Sequence, residues 1–253
     1  MNWVGLYSLF RKEVKRFTSV AVQTVFAPVV TALLYLLVFA QVMNTGLEGY
    51  EHISYGEFLI PGLIMMTVLQ NAFANSSSSL IQSKMHGNLT FLLLSPVSAL
   101  EFFIAFVAAS VVRGLFVAAG IYVVGVLFYG VSVYSWPLML AFLVLSSALM
   151  GAMGLIAGLW ADKYDHLAGF QNFVIMPLTF LSGVFYSIHS LPEFWQGVSQ
   201  LNPFLYMVDG FRYAIHGKAD MNVGWSLVFV AVFFIALSLI TLNLLQKGYK
   251  IRA

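Results

Sequence analysis

Apolar runs long enough to cross a bilayer alternate with short polar joints along almost the whole chain. Six of them cover residues 20–42, 58–80, 102–128, 137–161, 167–186 and 223–245, each nearly free of charge. A helix of about 20 residues, rising about 1.5 Å per residue, spans the roughly 30 Å of hydrocarbon in a membrane. Backbone N–H and C=O groups meet no water at that depth, so each run is expected to be helical. The pattern predicts an all-α polytopic membrane protein with six transmembrane helices, one membrane domain over residues 1–253.

Three shorter segments break the rhythm. Over residues 1–18, Trp3, Leu6, Tyr7, Phe10, Val14 and Phe17 recur at three- and four-residue spacing, with Arg11, Lys12, Lys15 and Arg16 clustered near the end. This predicts an amphipathic interfacial helix, apolar face in the headgroup boundary and cations against anionic lipid; the alternative is a frayed tail with stop-transfer charges. Residues 82–98 hold a Leu/Phe cluster too short to span, bounded by Gly87 and Pro96, which predicts a short helix on the inner surface. Ser98-x-x-Glu101 then reads as a capping box for the third span. An apolar helix on that side needs a partner surface. Residues 190–218 are too apolar for an ordinary loop, and Ser190-x-x-Glu193 and Asn202-Pro203 are helix-start signals. They predict two short helices, 192–201 and 203–216, that dip into the outer leaflet and return.

Composition agrees with a membrane solvent: 60% of residues are apolar and 9% charged, against about 25% charged in soluble domains. Charge distribution sets the topology. Placing both termini in the cytoplasm puts Arg11, Lys12, Lys15, Arg16, Lys84, Lys163, Lys247, Lys250 and Arg252 inside, nine of the 12 Lys and Arg. The first outer loop then carries Glu48, Glu51 and Glu57 with no basic residue, as the positive-inside rule requires. No cleavable leader is expected at the charged N-terminus. The chain has no cysteine, so disulfide and thiolate chemistry are excluded.

Polar groups within the spans are the candidate chemistry. Pro28 is expected to kink the first span, and the fifth contains Pro177 and is expected to end near Ser182-Gly183. Asn71, Asn75 and Ser76–Ser79 make the inner third of span two polar, for close helix packing or for a polar pathway. Arg113 lies near mid-membrane, where an arginine must face protein or water; it forms either a structural pair or part of the substrate path. Asp209 and Arg212, at i and i+3, can pair on one helix face, and Glu57 can join them; interfacial anchoring is the alternative for all three. The five histidines show no metal-ligand spacing, so no metal site is expected. No G-x-x-x-x-G-K-[ST] occurs, and Leu181-Ser182-Gly183-Val184 lies inside a span without the Gly-Gln of an ATPase signature. The chain is therefore not expected to hydrolyse ATP or act as an enzyme on its own.

Four stretches, in order, resemble the membrane subunits of type-2 ATP-binding-cassette (ABC-2 type) exporters. They are Phe58-Leu-Ile-Pro-Gly-Leu-Ile-Met-Met66, Gly87–Pro96 with Val97-Ser98, Pro177–Tyr186, and Leu191-Pro192 through Asn202-Pro203 to Arg212. The resemblance implies a permease of the bacterial inner membrane that moves an amphipathic, lipid-like, drug or glycan cargo outward. It implies docking of a separate ATPase on the N-terminal helix and on residues 82–98 as a coupling helix, through Phe10, Lys12, Lys84, Gly87, Leu89, Phe91, Leu92, Leu93 and Pro96. It implies an outer gate formed by the re-entrant pair, with Glu57, Arg113, Asp209 and Arg212 as gate and intramembrane polar residues. ATP and Mg²⁺ would be used by the partner and no cofactor held by this chain, which would pair with a second copy among membrane lipids and bind no nucleic acid. A membrane-embedded enzyme acting on lipid-linked substrates is the rival reading, and an ion-coupled transporter a second.

Overall fold

The computed structural model describes residues 2–43, 53–88 and 96–249. In order, α1 (Trp3–Thr18) is followed by a π-turn at Val22–Phe26 that leads into α2 (Ala27–Met43). Next come α3 (Tyr55–Met85), α4 (Ala99–Tyr129) and α5 (Trp136–Trp160). A broken helix follows: α6 (Tyr164–Phe170), a second π-turn (Gln171–Ile175) and α7 (Met176–Phe180). A 3₁₀ turn at Ile188–Ser190, α8 (Glu193–Gln200), α9 (Pro203–His216) and α10 (Val223–Gln246) follow as the last elements among the described residues. No strand occurs among the described residues.

Among the described residues, five helices are long and apolar enough to cross a membrane: Val22–Phe39 with its π-turn, α3, α4, α5 and α10. The predicted fifth span, 167–186, differs. It is helical over Tyr164–Phe180 in pieces of 7, 5 and 5 residues, then turns at Leu181–Gly183 instead of continuing. Gly183 takes a φ of 73°, which only glycine adopts without strain.

Local signals set the ends of the other helices. The Ser98–Glu101 capping box forms in both directions, with bonds of 3.3 and 2.8 Å. An equivalent box at Ser54 and Glu57 starts α3 at Tyr55, three residues before the predicted start. At its other end α3 runs on to Met85, so the first residues of the predicted inner helix over 82–98 are the last turn of α3. Residues 89–95 of that segment, with Leu89, Phe91, Leu92 and Leu93, lie outside the described residues. The expected box at Ser190 and Glu193 does not form. Ser190 instead closes the 3₁₀ turn through a 2.7 Å bond to the Ser187 carbonyl, and Pro192 takes the N-cap of α8 without a side-chain bond.

The two π-turns have one physical cause. In each, an N–H bonds five residues back (Ala27 to Val22, Met176 to Gln171), and the next residue is proline, Pro28 or Pro177. A proline ring collides with the carbonyl four residues before it, and the widened turn makes room. The kink expected at Pro28 thus takes the form of a π-turn.

Helices α3, α4 and α5 pack together at the centre, and α9 wedges against α3, α5 and α10. Small residues permit the approach. A Cβ on Gly154 of α5 would collide with the Phe73 carbonyl of α3 and stand 3.2 Å from Ser76. By contrast the first π-turn with α2, and α10, leave large apolar side chains exposed, including Phe26, Leu34, Trp225 and Leu239, as lipid-facing helices do.

Candidate functional site

Three polar places stand out in this apolar body, one at each depth. At the end of the bundle that holds the N-terminus, α1 does not float free, so the frayed-tail alternative does not hold. Its Leu9, Glu13 and Phe17, spaced four apart, are buried. Leu9 joins a cluster with Leu80, Phe102, Phe103 and Phe106. The Glu13 carboxylate accepts from Ser79 Oγ at 2.8 Å and from Arg16 Nε at 3.2 Å, and pairs with Lys12 Nζ at 3.2 Å. Arg16 reaches on to the Asn75 carbonyl (2.6 Å), Asn75 Oδ1 (3.1 Å) and Ser78 Oγ (3.2 Å). Lys84 donates to the carbonyls of Leu159 and Ala161 at 2.5 and 3.1 Å, capping the end of α5. Gly87 leaves α3 with a φ of 69°, and Phe10 is half-buried against α4's cluster. Pro96 O accepts from Asn2 Nδ2 at 3.2 Å.

These contacts divide the polar third of α3 in two. Ser76 pairs with Ser110 at 2.7 Å and Ser77 bonds back to the Phe73 carbonyl, which is small-residue packing. Asn75, Ser78 and Ser79 hold α1. Neither expectation for this stretch covers the whole of it.

At mid-depth, Arg113 Nη2 donates to Asn71 Oδ1 at 2.8 Å, while its Nε finds no hydrogen bond among the described residues. Asn71 also lines a hollow of about 410 Å³ between α2, α3 and α7. Gln23, Thr31, Tyr35, Thr67, Gln70 and Asn71 give its wall neutral donors and acceptors, and Ala27, Leu63, Met66 and Met176 its apolar part. Gln70 Nε2 is buried there without a hydrogen-bond partner among the described residues. Gln23 and Thr31 lie on an exposed face of a membrane-depth helix, an arrangement lipid alone does not favour.

At the opposite end of the bundle, α9 carries Asp209 and Arg212, both fully buried. They pair as expected, Nη1 to Oδ1 at 3.7 Å. The Asp209 carboxylate also accepts the N–H groups of Asp220 and Met221 at 2.9 and 2.8 Å. Arg212 Nη2 donates to the Gly183 carbonyl at 2.5 Å, and its Cζ stands 4.1 Å from the centre of the Phe58 ring. The Glu57 side chain does not join them; it is held in the Ser54 capping box, and its carbonyl bonds His216 Nε2 at 3.0 Å. Asn202, read from the sequence only as a helix start, and Asp220, not singled out there, complete this end. Asn202 Nδ2 donates to the Leu178 carbonyl at 2.6 Å, and Asp220 accepts from Ser187 Oγ and the Ile188 N–H. Tyr55 OH adds a bond to the Phe185 carbonyl at 2.8 Å. The unwound stretch after α7 is thereby tied to α9 at the Gly183 carbonyl and to α3 at the Phe185 carbonyl.

The model of the ABC-2 type transporter family matches residues 5–216, from the first turn of α1 to the end of α9. The chain belongs to the ABC-2 type transporter family. It is 39% identical over 253 residues to the inner membrane transport permease YadH of Escherichia coli K12, covering 100% of this chain and 99% of that protein. The Shigella flexneri protein of that name matches equally well. Nodulation protein J of Rhizobium leguminosarum bv. viciae is 19% identical across 98% of this chain. As a member of this family the chain is a membrane transport component, and the polar places above belong to a transporter.

The buried Glu13–Arg16–Asn75–Ser79 network was not anticipated from the sequence. Its signal was present: Glu13 sits on the same helical stripe as Leu9 and Phe17, where an unpaired carboxylate would not be tolerated.

Proposed function

We propose that the chain is the membrane half of an ATP-driven exporter of the bacterial inner membrane, working as two copies bound to two copies of a separate ATPase. Six membrane crossings with both termini in the cytoplasm complete this reading, the broken helix Tyr164–Phe180 serving as the fifth. Helices α8 and α9 form the outer re-entrant pair. ATP and Mg²⁺ belong to the partner. Family membership carries the proposal, and the disposition of polar groups supports it: a docked cationic helix inside, a neutral polar hollow at mid-depth, a stapled lid outside.

In this mechanism ATP binding draws the two ATPase subunits together and pushes on α1 and on the segment around Leu89–Leu94. Helices α3 and α4 carry the push inward. The exposed face of α2 with Gln23 and Thr31, together with α3 and α7, meets the second copy, and the hollow between them becomes the cargo route. Its lining of amides and hydroxyls without a net charge suits an amphipathic cargo with a neutral polar head. The π-turns before Pro28 and Pro177 give these two helices places to bend.

The rival enzyme reading required free ionisable groups converging at one leaflet. Asp209 is instead committed to Arg212 and two backbone N–H groups, and Glu57 to a helix cap. Neither carboxylate is arranged as an acid or base. The docking proposal is tested by replacing Leu92 and Leu93 with Asp. Loss of ATPase co-purification and of its stimulation by the permease is expected; unchanged binding and stimulation would refute docking at that segment.

A further inference from the structure

Helix α1 carries four cations, Arg11, Lys12, Lys15 and Arg16, and one carboxylate, Glu13, which is the group turned inward and fully buried. Burying a carboxylate is costly unless it is paired and hydrogen-bonded. Here the arrangement spans two elements: Glu13 is bonded by Ser79 of α3 and by Arg16 of its own helix, and Arg16 continues to the Asn75 carbonyl. The other end of α1 is held separately. The Asn2 N–H donates to the Glu101 carboxylate, and Asn2 Nδ2 donates to the Pro96 carbonyl at 3.2 Å. Glu101 caps the start of α4 through Ser98. Between the two fixings, Leu9 joins the apolar cluster that holds Leu80 of α3 and Phe102 of α4, and Phe17 stands against the Phe116 ring of α4 with centroids 6.3 Å apart. One amphipathic helix is thus bonded at its C-terminal half to the inner end of α3 and at its N-terminus to the first turn of α4.

We propose that α1 is a strut joining the inner ends of α3 and α4, and that Glu13 is the positioning residue that locks it, so that a force on the cytoplasmic side moves the two helices as one. A helix held only by apolar contacts could slide along its groove at little cost. The directional bonds of Glu13 and Arg16 fix both its axial position and its rotation. This inference rests on the proposal that an ATPase supplies the force, while the strut itself can be tested without it.

The chain has no cysteine, so spin labels can be placed through Ser8→Cys on α1 and Gln82→Cys on α3, both exposed positions. In the full chain in lipid nanodiscs a single narrow distance distribution is expected. Glu13→Gln should broaden it, Ser79→Ala should broaden it less, and Glu13→Asp, which keeps the charge, should stay close to the parent. In the complex with its ATPase, Glu13→Gln should lower cargo moved per ATP hydrolysed about 5-fold or more, within the range of ordinary coupling between sites. An unchanged distance distribution in Glu13→Gln overturns the strut, and so does an unchanged transport-to-ATP ratio. If no ATPase accompanies the unsubstituted chain, the ATPase proposal fails by itself, and the spin-label distances alone decide the strut.

Discussion

Replacing Arg212 with methionine tests how the outer end is held. The substitution keeps side-chain length and removes a fully buried guanidinium. Lost with it are the 2.5 Å bond to the Gly183 carbonyl, the 3.7 Å pair with Asp209 and the contact of Cζ, 4.1 Å from the Phe58 ring centre. A hydrogen bond to a charged group contributes about 1.5–3 kcal/mol, and a cation–π contact about 0.5–2 kcal/mol. Asp209 keeps its two backbone N–H donors, so it is not left bare, and relief of the guanidinium's own desolvation offsets part of the loss. The net cost comes to about 3 kcal/mol, or about 6–12 °C in apparent melting temperature for a chain of this size. Size-exclusion of detergent-solubilised protein after stepped heating reads that shift at one fixed heating schedule. Glu57→Gln is the matched control, because glutamine also serves in a capping box and Glu57 lies outside the pair; it should stay within about 2 °C of the parent. The reasoning is refuted if Arg212→Met melts within that same margin, or if Glu57→Gln falls as far as Arg212→Met, which would mean that all three charges act together.

Other substitutions follow from the same contacts. Asn71→Leu removes the partner of Arg113 Nη2 and should cost about 1–3 kcal/mol; adding Arg113→Met should recover most of that loss in the same melting assay, as expected for a coupled pair. Gly154→Val drives a side chain into the Phe73 carbonyl and should destabilise by about 1–3 kcal/mol or more, with Gly154→Ala between it and the parent. Lys84→Met uncaps α5 at Leu159 and Ala161 and should speed amide hydrogen exchange at the end of that helix without altering exchange in α9.

The fold was most legible where one local signal decides one end of a helix. Ser98 and Glu101 announced the start of α4, and Asn202-Pro203 the start of α9, whose observed range matches the predicted 203–216. Reading failed where two signals competed for one residue. Ser190 has the spacing of a capping box with Glu193, but its hydroxyl is taken by the Ser187 carbonyl, three residues back, and the helix starts from Pro192 instead. Hydropathy alone carried the fifth apolar run on to residue 186, whereas Ser182-Gly183 marked the end that is observed, where the Gly183 carbonyl is held by an arginine far along the chain. Of the candidate site residues, Asp209 and Arg212 were found together because i, i+3 spacing makes them neighbours on any helix. Glu57 was grouped with them on depth alone, and depth does not say which way a side chain turns. The Glu13 network escaped because it depends on which face of α1 meets α3, a tertiary fact; only the position of Glu13 among Leu9 and Phe17 hinted at it.

The central claim is that this chain carries transport but not the motor. Its most direct test is ATP hydrolysis by the purified chain in proteoliposomes, alone and after co-purification with the ATPase from the same membranes. The account predicts no hydrolysis by the chain alone, and vanadate-sensitive hydrolysis once an equimolar P-loop ATPase accompanies it. Turnover of ATP by the isolated chain, or vectorial transport sustained without any such partner, would contradict it.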